Sequence, residues 1–279
     1  MLILSDLVMM STSSELHLTF KVPNKRRIAL KLSYDGTGYH GWQKQPALEK
    51  TIQGTLECEL SRLLQEVINV DGASRTDAGV HAEDQLAAFN TFHPIKLNGL
   101  IKAMNRRLPS QIAVNHCYEV ETDFVPRFVN QGKRYRYRIY YSSSRQPLID
   151  RFATWIHYPL DVEMIAQGLS YLHGEHDFQS FAASNGQHKS SVREIWLTSV
   201  RIEKITQDIT LYEIRFAGSG FLKQMVRNLV GTLIEIGRGH WQVDCIPDII
   251  KAKSRSAAGP TAPARGLCLE EMFWSHSTQ

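Results

Sequence analysis

The residues with the most chemical potential lie in Ala73-Ser74-Arg75-Thr76-Asp77-Ala78-Gly79-Val80-His81-Ala82, where a polar triplet sits beside small residues and a glycine. An aspartate there can present its carboxylate at a loop tip, with Thr76 and nearby backbone N–H groups orienting it. A neighbouring cation would keep it ionised, and ionised carboxylates serve as bases and nucleophiles. The same spacing also fits an Asx-turn beside a surface arginine.

A second candidate is Lys133-Arg134-Tyr135-Arg136-Tyr137-Arg138-Ile139-Tyr140-Tyr141. On a strand, successive side chains alternate faces. Tyr135, Tyr137, Ile139 and Tyr141 then share one face, and Arg134, Arg136 and Arg138 the other. Rings on which bases stack and guanidinium groups for phosphates are what RNA-binding sheets combine. A half-buried strand with tyrosines in the core and arginines in water reads equally well.

The third is Gly218-Ser219-Gly220 ahead of a helical stretch, 221–236. The Lys-Ser/Thr ending of a phosphate loop is missing, so that motif fails. Arg227 lies on the flank of the stripe formed by Leu222, Met225, Val226, Leu229 and Leu233. A guanidinium at the edge of a core calls for a carboxylate partner, unless it snorkels into water. His173, His176 and Asp177 crowd at the end of a predicted helix, without the further ligands a metal needs. A histidine near the negative end of the helix dipole is the simpler reading.

These residues need elements to position them. Alternation predicts a strand over 27–34, followed by a glycine-rich loop, Asp35-Gly36-Thr37-Gly38-Tyr39-His40-Gly41-Trp42. Thr51 reads as the N-cap of a helix to about Val67, with Ile52, Leu56, Leu60, Leu63, Leu64 and Val67 along one face. A strand at 85–90, a helix at 97–107 and a strand at 112–118 follow, then a link over 119–132. The second half resumes with a strand (133–141), a helix (161–173), strands near 193–205 and 209–217, the helix bearing Arg227, and a strand near 266–273. Before that last strand, 257–266 is a Pro-rich loop that covers a cleft or merely connects. The fold class is α+β, with sheets covered by helices on one face.

The chain has 279 residues, 43% hydrophobic and 22% charged, which excludes disordered, collagen-like and coiled-coil classes. Net charge is +4, compatible with a nucleic-acid partner. Phosphate contacts would then come from local patches: Arg134/Arg136/Arg138, Arg106-Arg107 and Lys251/Lys253/Arg255. No apolar run is long enough to span a bilayer. Four scattered cysteines with no CxxC pair point to neither a disulfide framework nor a Cys-rich zinc site, and fit a reducing cytoplasm. Residues 1–25 read as a loosely attached extension ending in basic residues.

Taken in order, YDGTGYHGWQKQP (34–46), TIQGTLE (51–57), SRTDAGVHA (74–82), KRYRYRI (133–139), HDFQSF (176–181), GSGFLKQMVRNLVGTLIEIG (218–237) and APARGLCLE (262–270) closely resemble the TruA family of tRNA pseudouridine synthases. The resemblance implies that Asp77 is the catalytic aspartate and that Arg75 helps push the target nucleotide out of its helix. It makes Tyr135 the ring that packs on the target uracil, and Arg227 the partner of the catalytic carboxylate. It further implies two α/β domains (26–120 and 121–279) with antiparallel sheets, RRM-like or ferredoxin-like halves, flanking a catalytic cleft. A homodimer would hold the tRNA and modify uridines of the anticodon stem-loop, typically at tRNA positions 38 to 40. Two departures stand out. Ser74 replaces the usual Gly before RTD, and Val125-Pro126 interrupts what is usually a His-Ala pair.

The implied reaction breaks the N1–C1′ bond, turns the base and joins C5 to C1′. It involves no net redox change or group transfer, so neither an electron carrier nor a metal is demanded. Asp77 would attack C1′ or C6, or remove the C2′ proton; Arg227 would oppose the protonation that a dry cleft favours. The alternative is a non-catalytic RNA-binding protein on the same scaffold.

Overall fold

The computed structural model describes residues 24–46, 50–186 and 188–274. Most of the N-terminal extension, residues 1–23, lies outside them. The elements run β1 (Arg26–Tyr34), α1 (Ile52–Leu64), β2 (Val70–Gly72), β3 (His81–Thr91), α2 (Leu97–Arg107), β4 (Ile112–Val120), β5 (Asn130–Tyr141), α3 (Pro147–Asp150), β6 (Thr154–Ile156), α4 (Val162–Ser170), β7 (Gly174–Asp177), β8 (Val192–Lys204), β9 (Thr210–Gly218), α5 (Met225–Gly237), α6 (Cys245–Ala252) and β10 (Leu267–Trp274). This is an α+β fold.

Its strands form one sheet in the order β4-β1-β3-β10-β5-β9-β8-β7, with β2 beside β3 and β6 beside β5. Most neighbours are antiparallel. At the centre β10 pairs antiparallel with β5, Leu269 opposite Tyr135, and parallel with β3, Cys268 opposite His81. The strands of the two halves are thus continuous through β10, rather than standing as separate sheets.

The alternation read on β5 holds, and β9 matches it. Tyr135, Tyr137 and Ile139 lie opposite Phe216, Ile214 and Tyr212, and all six are buried. Burying each such side chain stabilises the fold by about 1.5–3 kcal/mol. The intervening positions carry arginine and glutamate, the pattern of a sheet with one apolar face.

Helix α1 is capped as expected: the Thr51 hydroxyl accepts from the Gly54 N–H at 3.1 Å, and Ile52, Leu56, Leu60 and Leu64 are buried. It stops three residues short of Val67, because Gln65 takes a left-handed conformation. Val67 is consequently almost fully exposed, not part of the apolar face. Helix α4 begins after its cap, Asp161, and ends at Ser170. His176 and Asp177 therefore sit on β7 and not at the end of α4; Asp177 instead caps the short 3-10 turn Phe178–Phe181, accepting from the Gln179 N–H.

Candidate active site

Asp77 stands on the loop between β2 and β3, and that loop is tied to the glycine-rich segment after β1. The Trp42 N–H donates to the Thr76 carbonyl at 3.1 Å and the Gly79 N–H to the Tyr39 carbonyl at 3.3 Å, while the Val80 N–H closes a turn on the Asp77 carbonyl at 3.1 Å. Gly41 is required here: its φ is +87°, and a Cβ would lie 2.6 Å from the Thr76 oxygen. The two segments thus fix the backbone from which the carboxylate projects.

Beneath the loop runs a buried polar network. The Gln85 amide holds Ser74 on both sides, accepting from its N–H at 3.2 Å and donating to its carbonyl at 2.8 Å. The same amide donates to the Tyr34 hydroxyl at 3.3 Å, which pairs with Thr76 Oγ1 at 2.8 Å. Ser74 Oγ lies 3.2 Å from the Tyr135 hydroxyl. Satisfied buried networks of this kind hold one geometry.

Arg227 comes from the first turn of α5. Its Nη1 donates to Asp77 Oδ2 at 3.3 Å and its Nε to the Ala262 carbonyl at 2.7 Å. The pair is partly buried, with side-chain exposures of 24% for Asp77 and 15% for Arg227. The Ala262 N–H returns a bond to the Arg227 carbonyl. The Pro-rich loop therefore does more than connect: it packs on α5 and seats the guanidinium. Its Pro263 carbonyl also accepts from the Tyr137 hydroxyl at 2.8 Å, and its Arg265 carbonyl lies 3.2 Å from His81 Nε2. His81 in turn accepts from the Gly36 N–H through Nδ1. Burial holds its pKa below the ordinary histidine value despite Asp35 nearby, so the neutral ring clasps the Asp77 loop to the loop that seats Arg227.

Tyr135 is buried on the same side of the sheet, with the Phe221 ring edge-on at 5.2 Å. Burial, with the Asp77 charge adding to it, pushes its phenol up to about 12, against a lowering by the Ser74 hydrogen bond. The neighbouring Tyr137 belongs to the core, its hydroxyl bonded to Thr154 Oγ1 at 2.7 Å.

Arg75 points outward, with no hydrogen bond or ion pair among the described residues. The other face of β5 differs. Arg134 pairs with Glu270 and Glu271, Arg136 with Glu83 and Glu270, Arg138 with Glu213, and Arg215 of β9 with Glu213 and Glu270. Four arginines meet four glutamates, so Arg134 and Arg136 are occupied by carboxylates. Elsewhere, Arg107 meets Glu59, Lys251 meets Asp248 and Lys253 meets Asp177. No cluster of three or more potential metal ligands occurs among the described residues. A cavity of about 360 Å³ lined by Asp35, His81, Arg136, Arg138 and Phe152 lies apart from Asp77 and Tyr135.

The geometry thus brings Asp77, Arg227 and Tyr135 to one place from three distant segments. The family described as tRNA pseudouridine synthase matches residues 31–128 and 169–275, which include Asp77 and Arg227. The chain belongs to the tRNA pseudouridine synthase family. It is 43% identical to tRNA pseudouridine synthase A of Myxococcus xanthus, over 89% of this chain and 92% of that protein. It is also 44% identical to the Acetivibrio thermocellus protein of that name, and 40% to the one from Geotalea uraniireducens, over 89% of this chain and all of each relative. Among the described residues no helix is long and apolar enough to cross a membrane.

Sequence reasoning missed Gln85, Tyr34 and the His81 clasp. The signal for Gln85 was an amide that heads an apolar run on a strand, Leu86 to Phe89 following it.

Proposed function

We propose that this chain isomerises uridine to pseudouridine in the anticodon stem-loop of tRNA, at positions 38 to 40, with Asp77 as its catalytic carboxylate. The observation that carries the reading is the 3.3 Å contact between Asp77 and Arg227, residues 150 positions apart in sequence. The Arg227 guanidinium, anchored on the Ala262 carbonyl, donates to one carboxylate oxygen and leaves the other for the nucleoside. Asp77 then acts as nucleophile at C1′ or C6, or as base at C2′, while the N1–C1′ bond breaks and C5 takes the place of N1. Tyr135 stacks on the extruded uracil, offsetting part of the few kcal/mol that flipping costs with about 1–3 kcal/mol of stacking. Its hydroxyl takes part in the proton shift at C5. Exposed and unpaired among the described residues, Arg75 is free to occupy the place the nucleotide leaves.

The reading extends to organisation. Residues 26–120 and 121–279 are two α/β units fused along β3 and β10. In the first, the element order β1-α1-β2-β3-α2-β4 with strand order β4-β1-β3-β2 supports a ferredoxin-like, RRM-like half. The enzyme works in the cytoplasm as a homodimer.

Purified protein and unmodified tRNA carrying 5-tritiated uridine test the reading. Wild type releases tritium at the modified position and forms pseudouridine, whose mass equals that of uridine. Asp77→Asn and Asp77→Ala lose release by several orders of magnitude while tRNA binding survives; near-normal release by either variant refutes the assignment.

A further inference from the structure

The Asp77 loop holds a hydroxyl that the reaction scheme has not used. Ser74 is 5% exposed and Tyr135 7%, and their hydroxyl oxygens lie 3.2 Å apart. Ser74 is not free to drift, because the fully buried Gln85 amide grips its backbone N–H and carbonyl together. We infer that Ser74 is a positioning residue for catalysis, its hydroxyl donating to the Tyr135 oxygen and fixing the phenol for the proton step at C5. This rests on the function proposed above.

The direction of the hydrogen bond follows from what surrounds the phenol. From the loop comes the Asp77 carboxylate, from β1 the Tyr34 hydroxyl and from the segment before α5 the apolar Phe221 ring. Burial and the Asp77 charge both disfavour negative charge on the phenol, whereas the Ser74 hydrogen bond favours it. With Ser74 as donor, the phenol's own O–H is released from the loop and can turn elsewhere. A contact of 3.2 Å is long for two hydroxyls, and such contacts shorten when substrate closes the site.

In the C5 step the C5–H bond of the re-attached uracil breaks, its electron pair restores the C5=C6 double bond, and the C6=N1 π pair withdraws onto N1. The proton passes to the Tyr135 oxygen as the phenol's own proton leaves to water, and N1 takes up a proton from water. Charge balances, and the step needs no partner other than water. Ser74 enters through the Tyr135 oxygen without touching the base.

The test uses full-length Ser74→Ala, Ser74→Gly and Ser74→Thr, with tRNA carrying 5-deuterated or ordinary uridine. Ala and Gly are expected to lower kcat about threefold to tenfold, the worth of one hydrogen bond. KM for tRNA stays within about twofold and melting temperature stays close to wild type. The deuterium isotope effect on kcat rises, because the C5 step becomes slower relative to the others. Thr keeps the hydroxyl and restores both quantities. In a Tyr135→Phe background, adding Ser74→Ala brings no further loss. Wild-type kcat and isotope effect in Ser74→Ala overturn the inference alone, as does a lost kcat with an unchanged isotope effect. A wild type that forms no pseudouridine overturns the proposed function as well.

Discussion

The Asp77–Arg227 contact and the ladder of charges on the far face of β5 are both made of arginine and carboxylate, but they are supported differently. In the ladder, each guanidinium faces glutamates that project from the same rigid sheet: Glu83 from β3, Glu213 from β9, Glu270 and Glu271 from β10. The charges there form a network, Glu270 alone serving Arg134, Arg136 and Arg215. At the other site one carboxylate on a loop meets one guanidinium on a helix, and the guanidinium's other bond goes to a backbone carbonyl. The ladder is cross-linked and stitches strands together. The single pair leaves Asp77 with an accessible oxygen, which is what a reacting group requires.

That contrast can be broken by experiment. The largest effect is expected at the single pair. Arg227→Ala lowers kcat/KM for tRNA about 100-fold or more, since a charged hydrogen bond in a partly dry site is lost. The melting temperature changes little by comparison. Arg227→Lys recovers only part, because it cannot reach Asp77 and the Ala262 carbonyl with one planar group. Equal losses of stability and activity would make Arg227 a ladder-like structural residue.

Next comes Arg136→Met. Removing a buried guanidinium strands Glu83 and part of Glu270, at a cost of about 2–3 kcal/mol in denaturant unfolding. Tritium release by the folded fraction stays within about threefold of wild type. Collapse of activity with unchanged stability would instead assign this face to RNA.

The smallest effect concerns pH. Burial alone would raise the Glu270 pKa, but Arg215, Arg136 and Arg134 hold it below the ordinary glutamate value. A depressed carboxylate pKa contributes stability that is full above the unfolded value and lost as pH falls through the folded one. The stability gap between wild type and Glu270→Gln is therefore widest at about pH 6 and shrinks below 4.5. A gap that grows on acidification would reverse the sign.

How much of this could be read from residues alone depended on the range of the physics. Helix α2 matched its expected bounds because its signal is local: Leu100 and Met104 mark one buried face. Helix α5 was expected from Phe221 but begins at Met225, since Gln224 adopts φ +60° and blocks an earlier start. The short elements β2, β6, β7, α3 and α6 carry too few residues for periodicity to show. In the site, Asp77 stood out by type and setting. Arg227 announced a need for a carboxylate, but no spacing rule joins residues so far apart. The arginines of β5 were legible as a face and not as a function, because their partners sit on β3, β9 and β10, and only strand order brings those acids opposite.

Among the described residues, strand β10 follows all the other strands and yet fills the middle of the sheet, between β3 and β5. While the polypeptide is still emerging from the ribosome, the strands on either side of that gap have no common neighbour. The segment seating Arg227, residues 257–266, is likewise made just before β10. Asp77 and Arg227 are therefore held in one frame by a strand that is made after both of them, and the register of β10 against β3 and β5 ties the two sides of the pair together.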